Sequence, residues 1–167
     1  MQIQTYKNIP DWSRGDNLER LSVEDKAVAH EKGMLHLSSH LLIYTSEGQI
    51  YCRKRKEHEE RYAGLWTTTI GIHVELGKDY FQTLSSYLPP AIMKLEFIGE
   101  FRTQDMWENE INGLYLCMIN NPSFPHGFSE DIRLIEAAQL ELLLFQGKTT
   151  PHLAKAYNLW REKHGKR

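Results

Sequence analysis

The side chains in this sequence best suited to chemistry are imidazoles and carboxylates, which move protons near neutral pH or hold a divalent cation. Eight histidines are spread along 167 residues. Glu108 and Glu110 are separated by one residue beside a run that reads as a strand, so both carboxylates point to one face and can reach one ion. A lone histidine is ordinarily a surface or hydrogen-bonded core residue, and His40, His58, His126 and His164 read that way. Cys52 and Cys117 both lie inside apolar runs and suggest no disulfide framework, so a reducing cytoplasm is the expected compartment. The charged run from Arg53 to Arg61 cannot be core and reads mostly as a solvated loop.

Elements that could position these groups follow from apolar spacing. His36 to Tyr44 and Gln49 to Cys52 flank Thr45-Ser46-Glu47-Gly48, which predicts a β-hairpin. Leu65 to Val74 is rich in Trp, Thr, Ile and Val and reads as one strand. Tyr80, Phe81, Leu84 and Leu88 recur at helical spacing between Asp79 and Leu88, and Pro89-Pro90 then stops the helix. Met93 to Thr103 and Glu110 to Ile119 read as two strands, the second ended by Asn120-Asn121-Pro122. After a Pro- and Gly-bearing loop through Phe128, Ile135 to Phe145 and Pro151 to His164 predict two helices.

Composition bounds what these elements can make. With 41% hydrophobic and 25% charged residues the chain resembles an ordinary globular protein, and its length fits one domain with its own core. A net charge of −2 gives no global positive field for nucleic acid, so an anionic ligand needs a local pocket. No apolar stretch approaches the roughly 20 residues of a membrane span, so a soluble protein is expected.

Three segments together carry a resemblance: KAVAHEKGMLHLSSHLLIYTSEGQIYCRKR, GLWTTTIGIHVELG and MWENEINGLY, followed by TTPHLAKAYNLW near the carboxy terminus. In that order they resemble isopentenyl-diphosphate isomerase, a family built on the Nudix fold. The resemblance implies an α/β (α+β) class, with a mixed β-sheet sandwiched between helices. It would form one domain over 1–167, with 1–25 an amino-terminal extension and 135–167 the closing helices. It further implies one divalent metal on three histidines and two glutamates, at His30, His36, His73, Glu108 and Glu110. Such a mixed shell suits Mn²⁺, Zn²⁺ or Fe²⁺ better than Mg²⁺ or Ca²⁺, although Mg²⁺ would suit the substrate diphosphate. Glu110 also matches the catalytic glutamate, while Lys26 and Arg55 match the positions that grip phosphate. The implied partner is a small organic diphosphate, with no nucleic acid and no membrane, and the oligomeric state is left open.

Four departures qualify the implied chemistry. Between His30 and His36 the spacing is one residue shorter than the family's, and Glu59 and Glu60 lie near a family lysine. Gly71 stands at the position of a family cysteine that serves as a proton-transfer group, and a glycine there is expected to open room beside His73. Aligned with the Nudix helix, GIHVELGKDYFQTLSSYLPPA puts Lys78 at the first glutamate, Ser86 and Tyr87 at the Arg-Glu pair, and Pro90 and Ala91 at the paired glutamates. No Mg²⁺ cluster of the ordinary hydrolase type can form on those residues. The leading expectation is therefore a divalent-metal-dependent, isomerase-like enzyme using proton transfer. The alternatives are an inactive Nudix-fold binding or regulatory protein and, third, a Nudix hydrolase. If Gly71 is not the point of failure, Tyr51, Tyr62, Thr69 and Tyr115 are the hydroxyls to consider for the second proton step.

Overall fold

The computed structural model describes residues 1–88, 92, 94–119 and 129–165. Pro89-Pro90, Ala91, Met93, Asn120-Asn121-Pro122, His126 and the loop through Phe128 lie outside the described residues.

In chain order the elements are β1 (Gln2–Tyr6), β2 (Arg20–Asp25), α1 (Lys26–Glu31), β3 (Leu35–Tyr44), β4 (Ile50–Lys54), β5 (Trp66–Thr67), β6 (Ile70–His73), α2 (Tyr80–Ser85), β7 (Glu96–Gln104), β8 (Asn109–Met118), β9 (Ile132–Ile135), α3 (Ala137–Phe145) and α4 (Pro151–His164). Strand β3 is the hub of the mixed sheet. One edge pairs in parallel with β8 from His36↔Glu110 to Tyr44↔Met118. The other edge takes β1 at Leu35 and His36, β6 from Ser38 to Leu41, and β4 at Ile43 and Tyr44. β7 extends the β8 edge, and β9 pairs with β4.

Strand alternation sends the side chains of β3 to two faces, and both are covered by helices. Leu42, Leu114 and Leu116 pack with Leu140 of α3 and with Leu153, Ala156, Tyr157 and Trp160 of α4. Leu41, Ile43, Tyr115 and Cys117 face the other way, with Leu84 of α2. The class is α+β, a mixed sheet between helices. Towards its amino-terminal end the α4-side face turns polar: His36, Ser38 and His40 on β3 lie beside Glu110 and Asn112 on β8. That register, with period-2 alternation, places the chemistry in one patch.

Several local readings need correction. Leu65 to Val74 is two short strands, because the chain leaves β4 for β3 at Thr68-Thr69. Thr69 Oγ1 accepts from the Ile43 amide at 2.9 Å and donates to the Tyr51 carbonyl at 2.5 Å, fixing the break. Residues 1–25 supply β1 and β2, which join the sheet through β3. Ile135 completes β9, so α3 begins two residues later than its apolar spacing indicates. Two helices have clear starts: Asp79 and Gln82 form a reciprocal capping box on α2, and Thr150 caps α4 ahead of Pro151.

Candidate metal centre and cavity

Each of the five predicted ligands sits where its element puts it. His30 is on α1, whose amino terminus is capped by the Asp25 carboxylate. His36 and His73 come from β3 and β6. Glu110 is on β8, and Glu108 precedes that strand in a turn held by Asp105 Oδ1, which accepts from the Trp107 and Glu108 amides. One donor atom from each of His30, His36, His73, Glu108 and Glu110 lies within 4.8 Å of the others. The short spacing between His30 and His36 does not keep His30 out of the cluster: its Nε2 is 2.8 Å from His73 Nε2.

The donor chemistry fits a cation. His36 Nδ1 is 2.8 Å from the Met34 carbonyl, which can only accept, so Nδ1 carries the proton of a neutral ring. Its Nε2 lone pair then faces Glu110 Oε1 at 3.1 Å, an arrangement that a proton or a metal must bridge. A ligating histidine commonly donates its other N–H to a backbone carbonyl in this way. His73 Nε2 is 3.0 Å from the same Glu110 oxygen. His30 Nδ1 and Glu108 Oε2 are 3.1 Å apart but lack hydrogen-bond alignment, and both are buried without a hydrogen-bond partner among the described residues. Unpartnered buried nitrogen and oxygen are costly unless something else satisfies them.

The protein's own electrostatics hold these groups in opposed states. Burial pushes the His36 pKa down, but the hydrogen bond and charge of Glu110 outweigh it and the net shift is upward. Burial is the larger influence at His73, whose pKa falls. Burial would raise the carboxyl of Glu110, yet hydrogen bonds from His152, His36 and His73 hold it well below the usual carboxylate range. Glu110 is therefore ionised.

The cluster opens onto a cavity of about 290 Å³ that takes in Ser38, His40, His73, Glu108, Glu110 and His152, together with Arg53, Arg55 and Tyr62. Arg55, just past β4, is in the cavity wall as expected, and Arg53 joins it from two residues earlier in the strand. Glu59 pairs with both guanidiniums, at 2.5 Å to Arg53 and 2.9 Å to Arg55. The carboxylate near the expected lysine thus occupies the cationic corner. Lys26, the other position expected to grip phosphate, opens α1 and does not line the cavity among the described residues.

Gly71 is a correction. A Cβ built there would lie 2.8 Å from His40 Cε1 and 3.0 Å from His40 Nδ1, so the notch beside the glycine is filled by an imidazole. Gly71 and His40 are cross-strand partners, which explains the fit. His40 and His152 are cavity residues that the sequence reading left out. His40 follows His36 and Ser38 at period 2, a usable signal, whereas His152 reaches Glu110 Oε2 at 2.9 Å from the first turn of α4, a tertiary contact with no local signature. Of the four hydroxyl residues considered, Tyr62 and Thr69 line the cavity and Tyr51 and Tyr115 do not.

A Deinococcus radiodurans protein of known structure superposes with a TM-score of 0.66 at 13% identity, covering 96% of this chain and 98% of its own. The NUDIX domain of Shewanella oneidensis NrtR, solved with ADP ribose, gives 0.53 at 15% identity, over 77% and 88%. A Nudix hydrolase of M. smegmatis, RenU, gives 0.52 at 12%, over 78% and 86%. The chain has the Nudix fold. In sequence it is similar to isopentenyl-diphosphate Delta-isomerase 1 of Aromatoleum aromaticum, 24% identical over 156 residues, which span 88% of this chain and 85% of the relative. No family model matches the chain. None of the described helices is long and apolar enough to cross a membrane.

Proposed function

We propose that this Nudix-fold chain is a divalent-metal-dependent enzyme acting on a small organic diphosphate, with Glu110 as its proton-transfer group. The observation that carries this reading is the convergence of His30, His36, His73, Glu108 and Glu110 beside a cavity that also holds Arg53 and Arg55. The similarity to an isopentenyl-diphosphate isomerase supports an isomerase-like reaction. An ion in the cluster would supply charge stabilisation to an oxygen or developing charge of the substrate. The mixed nitrogen and oxygen donors favour Mn²⁺, Zn²⁺ or Fe²⁺.

The residues divide the remaining work. Arg53 and Arg55 offer planar donor forks to phosphate oxygens, and binding there displaces Glu59. Glu110, ionised and held by three histidines, takes a proton from carbon or returns one. Gly71 contributes no acid. Tyr62, kept protonated because burial raises its pKa and donating to Asp105 at 2.6 Å, is the tyrosine hydroxyl at the cavity for a second step, whereas the Thr69 hydroxyl is committed to the Tyr51 carbonyl. A hydrolytic reading is favoured by the fold relatives, but α2 reads YFQTLS and carries no carboxylate for the magnesium chemistry of that helix.

The test is deuterium incorporation into isopentenyl diphosphate in D₂O by metal-loaded protein, with Glu110→Gln as control. The expected result is exchange that falls about 100- to 10,000-fold in the variant. Diphosphate cleavage without exchange would replace this reading with hydrolysis. Tight diphosphate binding with neither reaction would replace it with a binding or regulatory role.

A further inference from the structure

The five-residue cluster uses one side of the Glu110 carboxylate: His36 and His73 both address Oε1. The other oxygen, Oε2, faces a second group of buried donors. His152 Nε2 is 2.9 Å from it, and Ser38 Oγ is 3.1 Å away. His40 stands on the far side of Ser38, with Nε2 at 3.2 Å from Oγ. Donor atoms of His40, Glu110 and His152 all lie within 4.8 Å of one another.

The hydrogen-bond pattern leaves His40 Nε2 without a proton to accept. Thr68 Oγ1 donates to the Ile70 carbonyl at 3.0 Å, so it accepts from His40 Nδ1 at 2.8 Å. That fixes the tautomer with the lone pair on Nε2. The facing Ser38 hydroxyl has one proton, and its shortest contact is to Asn112 Oδ1 at 2.5 Å. Asn112 cannot be turned around, because its Nδ2 contacts the Phe101 carbonyl at 3.1 Å and Thr103 Oγ1 at 3.1 Å. Among the described residues the His40 Nε2 lone pair therefore has only the Ser38 hydroxyl beside it, whose one proton is drawn to Asn112, while donor atoms of Glu110 and His152 lie within 4.8 Å. Both rings and Glu110 line the cavity that also contains Arg53 and Arg55.

We propose that His40, His152 and Glu110 Oε2 form a second cation site beside the five-residue cluster. Two imidazoles and one carboxylate select a transition metal over Mg²⁺. Three protein donors leave coordination positions open, and the phosphate oxygens of a diphosphate held by Arg53 and Arg55 are the ligand class that would fill them. This rests on the proposed function for its substrate class and on the five-residue cluster for its neighbour, but the donor set is separate apart from Glu110.

The experiment is a titration of metal-free protein with Co²⁺, alone and with inorganic pyrophosphate, read by calorimetry and elemental analysis. Wild type is expected to bind two ions per chain, the second tightening with pyrophosphate, and His152→Ala and His40→Ala are each expected to bind one. The double variant His73→Ala/Glu108→Ala is expected to keep the His40–His152 ion. Saturation of wild type at one ion, with that ion lost in His73→Ala/Glu108→Ala, overturns the second site and leaves the proposed function standing. Two ions retained in both His152→Ala and His40→Ala also overturns it. Binding that survives His73→Ala/Glu108→Ala unchanged but disappears in His152→Ala would instead support this site and remove the five-residue centre. The wild-type stoichiometry needs no variant, so the result does not depend on a substituted protein folding.

Discussion

Replacing Gly71 by alanine tests whether the glycine is there for His40. The backbone at Gly71 is not in the left-handed region, so any cost must be steric. An added Cβ would sit 2.8 Å from His40 Cε1, 3.0 Å from His40 Nδ1 and 3.5 Å from Thr68 Oγ1. Comfortable carbon contacts are about 3.5 to 4.0 Å, so the ring must retreat by several tenths of an ångström. It is held by Thr68 at 2.8 Å and has the His152 ring centroid 4.9 Å away, nearly parallel. Overpacking of this kind costs about 1–3 kcal/mol, from which about 0.5–1 is returned by removing glycine from a strand. We therefore expect Gly71→Ala to lose about 1–2 kcal/mol in urea denaturation of the metal-free protein, equivalent to about 2–8 °C in melting temperature. In a His40→Ala background the same substitution should be neutral or stabilising by up to about 1 kcal/mol. Gly71→Cys should behave no better than alanine in the native background and should not create a usable thiol. An equal cost for Gly71→Ala in both backgrounds would refute the packing argument, because contacting pairs must couple.

Further outcomes follow from the same geometry. Stripping metal with a chelator should lower the melting temperature, since saturation at about 100 times Kd adds about 2.7 kcal/mol to the folded state, and calorimetry with and without ion checks this. Burial pushes the His40 pKa down to about 3, with the charge of His152 adding to it. The unfolded state therefore takes up a proton that the folded state refuses between about pH 6.5 and 3; stability from His40 is full above that window and is lost as pH falls through it, by at most a few kcal/mol. Metal-free His40→Leu should show a shallower acid decline in urea midpoints than wild type. Glu59→Gln should tighten pyrophosphate binding by freeing Arg53 and Arg55, whereas Arg55→Ala should weaken it about tenfold or more; calorimetry reads both, and a Glu59→Gln variant that binds more weakly would mean the carboxylate positions the arginines instead.

The fold was legible where periodicity was strong. The β3–β4 hairpin, α2, β7, β8 and α4 were all visible from apolar spacing and from Asp79, Gly48 and Thr150-Pro151. β1, β2 and β9 were not, because half-exposed strands such as RLSVED and IRLI lack a distinctive alternating run and owe their existence to pairing, β2 with β1, β1 with β3 and β9 with β4. Leu65 to Val74 looked continuous because propensity does not report that a chain changes partner at Thr68-Thr69. In the site, the five cluster residues came from resemblance to a family and not from spacing, which cannot bring α1, β3, β6 and β8 together. His40 was discounted as an ordinary core histidine; it is indeed buried and hydrogen-bonded, but on the ligand-bearing face of β3. Lys26 was carried over by position alone, and the cavity wall does not include it.

The central claim is that His30, His36, His73, Glu108 and Glu110 hold a metal ion, and metal content tests it most directly. Purified wild-type protein, analysed for Mn, Zn and Fe, should carry at least one ion per chain, and folded His73→Ala/Glu108→Ala should lose one full equivalent relative to it. Equal metal content in the two proteins would contradict the account.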